Sequence, residues 1–220
     1  MSPEVLVKVC GNTSVADAQM AARAGADYLG IIVEHQPSPR CTRLERAREI
    51  CTATARPTIA VTVNLPLDRI LHIAEALQPA ALQLHGDEEP ELVRQLKSRG
   101  LTVWAACTGE PQDLRRRALQ MAEVGADAIL VDARTTAESG GIVYGGTGHQ
   151  GDWQTARELV NDGLRIILAG GLNAGNVAEA IAAVQPWMVD VVSGVEASKG
   201  IKDPVKVGRF IEAARHQAAR

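Results

Sequence analysis

The sequence predicts a closed (β/α)8 barrel that forms one domain over residues 1–220. Short β-rich runs alternate with amphipathic, alanine-rich stretches from end to end, which favours β/α units around a parallel sheet. About eight such units match the size that this barrel requires. An open doubly wound sheet is the alternative, but its dominant glycine-rich turn usually follows the first strand. Here the first turn reads CGNT, and the glycine-rich turns come late.

Each strand is predicted from a short apolar run, and each helix from apolar residues at helical spacing. In chain order, the runs are VLVKV, YLGIIV, TIAVTV, AALQL, TVWAA, AILVD, RIILA and MVDVV. Helical stretches such as SVADAQMAARAG, LDRILHIAEALQ and PELVRQLKSRG lie between them, and residues 204–215 form the last predicted helix. Four glycines follow helical stretches and predict left-handed caps: Gly25, Gly100, Gly125 and Gly163.

The composition restricts the class of protein. Hydrophobic residues make up 46% of the chain, yet no apolar run is long enough to span a membrane. The first residues lack the basic and apolar segments of a secretory signal. The net charge of −3 is dispersed, which argues against a nucleic-acid or anionic-membrane surface. We therefore expect a cytoplasmic protein, monomeric or homodimeric, that binds neither nucleic acid nor membrane.

The cysteines are expected to be reduced. Cys10, Cys41, Cys51 and Cys107 lie far apart in the chain, which argues against a disulfide framework. No cysteine and histidine residues have the spacing of a zinc site, so we expect no metal.

Polar and reactive residues follow the predicted strands at their carboxyl ends, where barrels of this kind place the active site. Cys10 ends the first strand, and Arg40 lies in the loop after the second. Gln83 and His85 share one face at the end of the fourth strand. Asp132 ends the sixth strand and precedes a long glycine-rich loop.

Two glycine-rich turns predict a phosphate site. GGLNAGN follows the seventh strand and SGVE follows the eighth, the two loops with which barrels often bind phosphate. The candidate residues are Gly170, Gly171, Ser193 and Gly194. Asn173 or Asn176 is expected to cap the following helix. The alternative is that these glycines only make tight turns, but two adjacent turns at this position favour phosphate.

Cys10 and Asp132 are candidates for a base and an acid. Their strands face each other across the predicted mouth, so a thiolate and a carboxyl group can act at two ends of one small substrate. Such a pair suits an isomerase. Each residue also has a structural interpretation, the thiol as a packed side chain and the carboxylate as a cap.

Lys8 is predicted to point into the barrel, because it lies two residues before Cys10 on the same strand. A buried ammonium group needs a partner. Asp190 lies among apolar residues of the eighth strand, which adjoins the first in a closed barrel. We expect a Lys8–Asp190 pair that is mainly structural, with the ammonium group also favouring the Cys10 thiolate.

An ordered set of short motifs resembles the phosphoribosylanthranilate isomerase family. The motifs are KVCG, GADYLGI, SPR, LQLHGDE, VDA, GGTG with DW, LAGGLNAGNV, VDVVSGVE and GIKD. They extend from Lys8 to Asp203 and are highly specific as a set. The resemblance implies a barrel enzyme of tryptophan biosynthesis that acts on a phosphorylated small molecule without a cofactor.

The resemblance also implies roles for the site residues. The family carries out the Amadori rearrangement of N-(5-phosphoribosyl)anthranilate to 1-(2-carboxyphenylamino)-1-deoxyribulose 5-phosphate. Cys10 matches the general base for the C2 proton, and Asp132 matches the general acid that protonates the ring oxygen. Arg40 matches the residue that holds the anthranilate carboxylate. The other residues expected at the substrate are Gln83, His85, Gly146, Gly170, Gly171, Asp190, Ser193 and Gly194.

Three departures from the family pattern bear on the substrate. IIV stands where phenylalanine often follows LG, VTVN stands where the family often reads VFVN, and the loop after Asp132 is longer than expected. Two aromatic side chains near the expected aglycone, around Ile32 and Thr62, are thus missing. A paralogous sugar-phosphate isomerase with a different aglycone and a non-catalytic phosphate-binding barrel are the alternatives.

Overall fold

The computed structural model describes residues 4–132, 134–136, 142–144 and 150–216. Eight parallel strands form its central sheet. They are β1 (Leu6–Val9), β2 (Tyr28–Val33), β3 (Thr58–Thr62), β4 (Ala81–Leu84), β5 (Val103–Cys107), β6 (Ala128–Val131), β7 (Ile166–Leu168) and β8 (Met188–Val191). Each strand pairs with the next in the chain, and β1 pairs with both β2 and β8. The sheet therefore closes on itself, and the predicted (β/α)8 barrel is confirmed.

Eight helices alternate with these strands. They are α1 (Val15–Ala24), α2 (Leu44–Thr52), α3 (Leu67–Leu77), α4 (Pro90–Lys97), α5 (Pro111–Glu123), α6 (Gln150–Asn161), α7 (Val177–Val184) and α8 (Pro204–His216). Shorter elements decorate the loops: strand Cys41–Thr42 beside β2, the hairpins Arg134–Thr136/Ile142–Tyr144 and Glu196–Ser198/Ile201–Lys202, and the 3-10 turn Ser193–Val195. The last predicted helix is confirmed as α8.

Left-handed glycines end several helices, as predicted. Gly25 has a φ of 105° and donates its N–H to the carbonyls of Ala21 and Ala22, which closes α1. The other three predicted cap glycines also have positive φ: Gly100 at 76°, Gly125 at 100° and Gly163 at 85°. A side chain at these φ values would be strained, so the glycines set the points at which the chain turns back toward the barrel.

The strands present different residues to the two sides of the barrel wall. Alternate side chains face the interior and the helices, and the helix-facing set is large and aliphatic. Inside, the lower end is filled by Tyr28, Trp104 and Trp187, whose ring centroids lie 5.6–6.4 Å apart. These rings lie at the amino ends of their strands. The polar interior positions are therefore above them, towards the carboxyl ends.

Lys8 and Asp190 form the predicted ion pair inside the barrel. The two residues are register partners on β1 and β8, and Lys8 Nζ lies 2.8 Å from Asp190 Oδ2. Lys8 is fully buried. Burial alone would lower the pKa of Lys8, but the Asp190 carboxylate outweighs it and the pKa is raised. The ammonium form is therefore the stable one in the folded barrel.

Lys8→Met should lower the free energy of unfolding by about 3–5 kcal/mol, because it leaves the Asp190 carboxylate buried without its partner. Urea denaturation of both proteins measures the difference. Arg46→Met is the matched control, since the Arg46–Glu49 pair is exposed and should contribute less than about 1 kcal/mol. A Lys8→Met cost no larger than the control would contradict a structural role for the buried pair.

The described residues give no sign of a membrane span, a disulfide or a metal centre. None of the described helices is long and apolar enough to cross a membrane. All four cysteines are free thiols. Within the described ranges, no three residues of the His, Cys, Asp or Glu type are grouped to hold a metal ion.

Candidate active site

Cys10 lies at the mouth of the barrel, directly after β1. Its backbone N–H donates to the carbonyl of Val191 at 2.9 Å, which ties it to the end of β8. Its side chain belongs to the interior cluster and is 3% exposed. The following residue, Gly11, has a φ of 73°, so the chain turns sharply after the thiol. The predicted position of Cys10 at a strand end is confirmed.

The charge environment of Cys10 contains opposing effects. Burial raises the pKa of the Cys10 thiol, the Lys8 ammonium lowers it, Asp190 raises it, and Lys202 lowers it. The net direction is upward. The predicted help of Lys8 to the thiolate is thus confirmed in direction, but burial outweighs it. A thiolate that does form there is a strong proton acceptor, because basicity increases with pKa.

Asp132, His85 and Gln83 form a chain of contacts on the other side of the mouth. His85 Nε2 lies 3.4 Å from Asp132 Oδ2, and His85 Nδ1 lies 2.9 Å from Gln83 Nε2. Asp132 is 6% exposed, and its Oδ1 has no hydrogen-bond partner among the described residues. The shared face of Gln83 and His85 was predicted from the sequence. Their connection to Asp132 was not.

A buried carboxylate fixes the loop that follows His85. Glu88 Oε1 accepts from the backbone N–H of Asn64 and Glu88 Oε2 from that of Gly86, both at 2.8 Å. Asn64 Oδ1 in turn accepts from the N–H of Asp87 at 2.8 Å. Asn64 takes a φ of 51°, which asparagine tolerates better than most residues. The ends of β3 and β4 are therefore joined, which holds His85 in place.

Arg40 is paired with Glu196, a residue for which no role was predicted. Arg40 Nε and Nη2 donate to the two carboxylate oxygens of Glu196, each at 2.7 Å. The Arg40 side chain also lies across Gly11, where an added Cβ would be 2.9 Å from Arg40 Cδ. Arg40 therefore lies beside the turn that follows Cys10, as expected if both residues contact one substrate.

Lys202 completes this charge cluster. Lys202 Nζ lies 3.5 Å from Glu196 Oε1 and donates to the carbonyl of Val192 at 3.1 Å. Burial lowers the pKa of Lys202, and the nearby carboxylate offsets part of that shift. Burial would raise the pKa of Glu196, but Arg40 and Lys202 lower it overall. Two cations thus surround one carboxylate, which leaves this side of the mouth net positive.

The glycines after β7 have the backbone of a tight loop. Gly170 and Gly171 have φ values of 87° and 64°. The side-chain amides of Asn173 and Asn176 donate to the carbonyl of Gly171 at 3.3 and 3.1 Å. Asn176 occupies the N-cap position of α7, but its side chain makes no capping hydrogen bond to the helix. The predicted cap by the Asn176 side chain is therefore wrong, whereas Asn173 Oδ1 accepts from the N–H of Gly175 at 2.8 Å in the turn before α7.

The loop after β8 packs directly on the loop after β7. A Cβ added to Gly194 would lie only 2.0 Å from the carbonyl oxygen of Leu172. Any side chain at position 194 would force the two loops apart. Ser193 and Gly194 begin the short 3-10 turn. The two predicted phosphate loops are thus brought together, whereas Gly146 lies outside the described residues.

Thr62 ends β3 at the carboxyl end, but its side chain does not face the interior, so the expectation that it lies near the aglycone is wrong. Ile59 and Val61 face the interior, and Ala60 faces the helices. Thr62 pairs in register with Leu84, another helix-facing residue, so it also points away from the interior. Ile32 does pack against the interior cluster. Of the two proposed aromatic positions, only the one at Ile32 can bear on a ligand in the barrel.

Known proteins resemble this chain over nearly its whole length. Residues 7–213 match the family described as N-(5'phosphoribosyl)anthranilate (PRA) isomerase. The N-(5'-phosphoribosyl)anthranilate isomerase of Pseudomonas paraeruginosa is 42% identical over 217 residues, covering 97% of this chain and 96% of that protein.

Solved structures agree with the sequence match. The phosphoribosyl anthranilate isomerase of Thermotoga maritima is 36% identical with a TM-score of 0.85, covering 96% of this chain and 99% of that one. A second isomerase structure, in complex with reduced 1-(o-carboxyphenylamino)-1-deoxyribulose 5-phosphate, is 34% identical with a TM-score of 0.81, at the same coverage. This chain therefore belongs to the N-(5'-phosphoribosyl)anthranilate isomerase family.

Proposed function

We propose that this chain converts N-(5-phosphoribosyl)anthranilate into 1-(2-carboxyphenylamino)-1-deoxyribulose 5-phosphate, a step of tryptophan biosynthesis. The main support is the family match over residues 7–213. In the same chain, Cys10 and Asp132 each directly follow a barrel strand, at the carboxyl-terminal end of the barrel. The related isomerase solved with a reduced carboxyphenylamino sugar phosphate supports the substrate class.

The reaction needs one proton delivered and one removed. Asp132, as the general acid, protonates the furanose ring oxygen, and the ring C1–O bond breaks to give the open Schiff base. Cys10, as the general base, takes the proton from C2, and the electron pair of that C–H bond moves toward the iminium nitrogen. The enol that results tautomerises to the ketone. Asp132 must therefore start protonated and Cys10 deprotonated.

The neighbours of the two groups fit these roles. His85 contacts one oxygen of Asp132 and so orients the carboxyl group, while the other oxygen is left to meet the sugar. Lys8 lies below Cys10 and stabilises its thiolate against the cost of burial. Strands β7 and β8 separate β6 from β1 on one side of the ring. The acid and the base thus approach the substrate from well-separated directions.

Arg40 is the proposed site for the anthranilate carboxylate. A guanidinium group has five N–H donors. Glu196 accepts from two of them, one on Nε and one on Nη2. The remaining donors can bind a ligand carboxylate while the Glu196 pair holds the group in one orientation. The net positive charge of the Arg40, Glu196 and Lys202 cluster favours an anion there.

The phosphate is proposed to bind at the joined loops after β7 and β8. Backbone N–H groups near Gly170, Gly171, Ser193 and Gly194 are the proposed donors, and the amino end of α7 adds a favourable dipole. Gly146 is proposed for the same ligand from its place in the GGTG motif. Gln83 Oε1 and Asp190 Oδ1 have no hydrogen-bond partner among the described residues, so we assign them to sugar hydroxyl groups.

A direct assay tests the function. Purified protein should convert phosphoribosylanthranilate, formed in place from anthranilate and phosphoribosyl pyrophosphate by a coupling transferase, into the deoxyribulose product. The gene should also restore growth to a tryptophan auxotroph that lacks this isomerase. No conversion at high enzyme concentration, with folded protein, would contradict the proposal and favour a paralogue with a different aglycone.

A further inference from the structure

The sulfur of Cys10 lies against a residue that has no side chain. Gly30 stands on β2 beside the end of β1, and an added Cβ there would be 2.4 Å from Cys10 Sγ. The same Cβ would be 2.9 Å from Cys10 Cβ and 3.0 Å from Cys10 Cα. Real Cβ atoms do not approach other atoms so closely, so an alanine at position 30 must displace the cysteine.

Hydrogen bonds hold the end of β1 and Gly30 of β2 in place. The carbonyl of Gly30 accepts from the backbone N–H of Asn12 at 3.0 Å and from its side-chain amide at 3.1 Å. The same Asn12 amide donates to the carbonyl of Val9 at 2.8 Å. Cys10 is held from its other side by the carbonyl of Val191. Asn12 is fully buried and thus ties the end of β1 to Gly30.

The backbone gives no other reason for glycine at this position. Gly30 is not among the residues with positive φ, so its conformation is open to any residue. A glycine inside a strand is generally unfavourable, because it loses more conformational freedom on folding and has no side chain to pack. The space that the thiol occupies is therefore the physical requirement for glycine here.

We propose that Gly30 is a positioning residue for Cys10: by lacking a side chain, it leaves the space in which the thiol is held against β2 and aimed at the substrate. This inference rests on the proposed role of Cys10 as the base. Proton transfer depends steeply on the placement of the accepting atom, so a small displacement of the sulfur acts on the chemical step. The three atoms nearest to an added Cβ at Gly30 all belong to Cys10, so we expect the main effect on the chemical step rather than on phosphate binding.

The test is Gly30→Ala, with Gly208→Ala as the matched control. A displacement of about 1 Å can cost about 10²-fold in rate, so kcat should fall by about that factor in Gly30→Ala. The KM and the Kd for reduced 1-(o-carboxyphenylamino)-1-deoxyribulose 5-phosphate should change little. The kinetic isotope effect with substrate deuterated at C2 should increase, because proton removal becomes slower. Gly208 in α8 has no atom within 4 Å of an added Cβ, so its variant should match the wild type.

The outcomes separate this inference from the proposed function. A wild-type kcat in Gly30→Ala, together with an inactive Cys10→Ala, would overturn the positioning role and leave the base assignment intact. An active Cys10→Ala would overturn the base assignment itself. Equal losses in kcat and in affinity for the reduced product would also overturn the positioning role, since general disruption of the mouth explains them.

If Gly30→Ala folds poorly, the unfolding midpoints of the single and double variants provide a second test. In the Cys10→Ala background, the atom at 2.4 Å is gone, so Gly30→Ala should lower the unfolding midpoint less than it does beside the native thiol. An equal loss in both backgrounds would overturn the inference, because the sulfur would then not be the atom that requires glycine.

Discussion

Cys10→Ala should lower kcat by about 10²–10⁴-fold, the range that a general base contributes. The change removes one sulfur atom from an interior position and leaves the Lys8–Asp190 pair and Arg40 in place. The fold and the affinity for the reduced product should therefore be kept. Steady-state kinetics, thermal unfolding and calorimetric titration measure the three quantities separately.

The matched control for this variant is Cys51→Ala. Cys51 lies in α2, where its sulfur accepts a hydrogen bond from the hydroxyl of Thr58, and it packs against the helix-facing core. Its removal should affect stability slightly and leave kcat unchanged. A Cys10→Ala enzyme with turnover near that of the control, under conditions where chemistry is rate-limiting, would rule out Cys10 as the base.

Asp132→Asn should lower kcat by about 10²–10⁴-fold, since an amide cannot deliver the proton that opens the sugar ring. Asparagine has nearly the same shape as aspartate and can keep the contact with His85. The loss should therefore appear in the chemical step, with little change in the Kd for the reduced product. Single-turnover kinetics with preformed substrate distinguish this step from product release.

The control for the acid is Asp127→Asn. Asp127 precedes β6 at the opposite end of the barrel and forms a half-buried ion pair with Lys97 at 2.6 Å. The same carboxylate-to-amide change there should reduce stability without a change in kcat. If Asp132→Asn kept wild-type single-turnover rates, ring opening would need a different acid, and His85 would be the next candidate by position.

The barrel and the ring of polar residues at its mouth could be predicted from the sequence, because both depend on local patterns. The strand runs and helical stretches occur in the predicted order, and the site residues follow the strands that were expected to carry them. Even the Lys8–Asp190 pair was predictable. Side-chain direction follows from the two-residue period of β1, and closure of the barrel makes β8 its neighbour.

The direction of the Thr62 side chain on β3 was predicted wrongly. TIAVTV has apolar residues on both faces, as expected for a strand covered on both sides. Such a run carries no sign of which residues face the interior, and Thr62 was placed near the aglycone from its position in the VTVN motif. The register with β4 assigns Thr62 to the helix-facing side.

The contacts that position the site were decided only by the tertiary structure. Arg40 and Glu196 are 156 residues apart, and no local pattern indicates that the hairpin after β8 returns to the loop after β2. The contact of His85 with Asp132 depends on how the ends of β4 and β6 converge at the mouth. Sequence alone thus determined the fold and the types of residue at the mouth. Their mutual distances depend on strand register and loop packing, which join parts of the chain that local patterns treat independently.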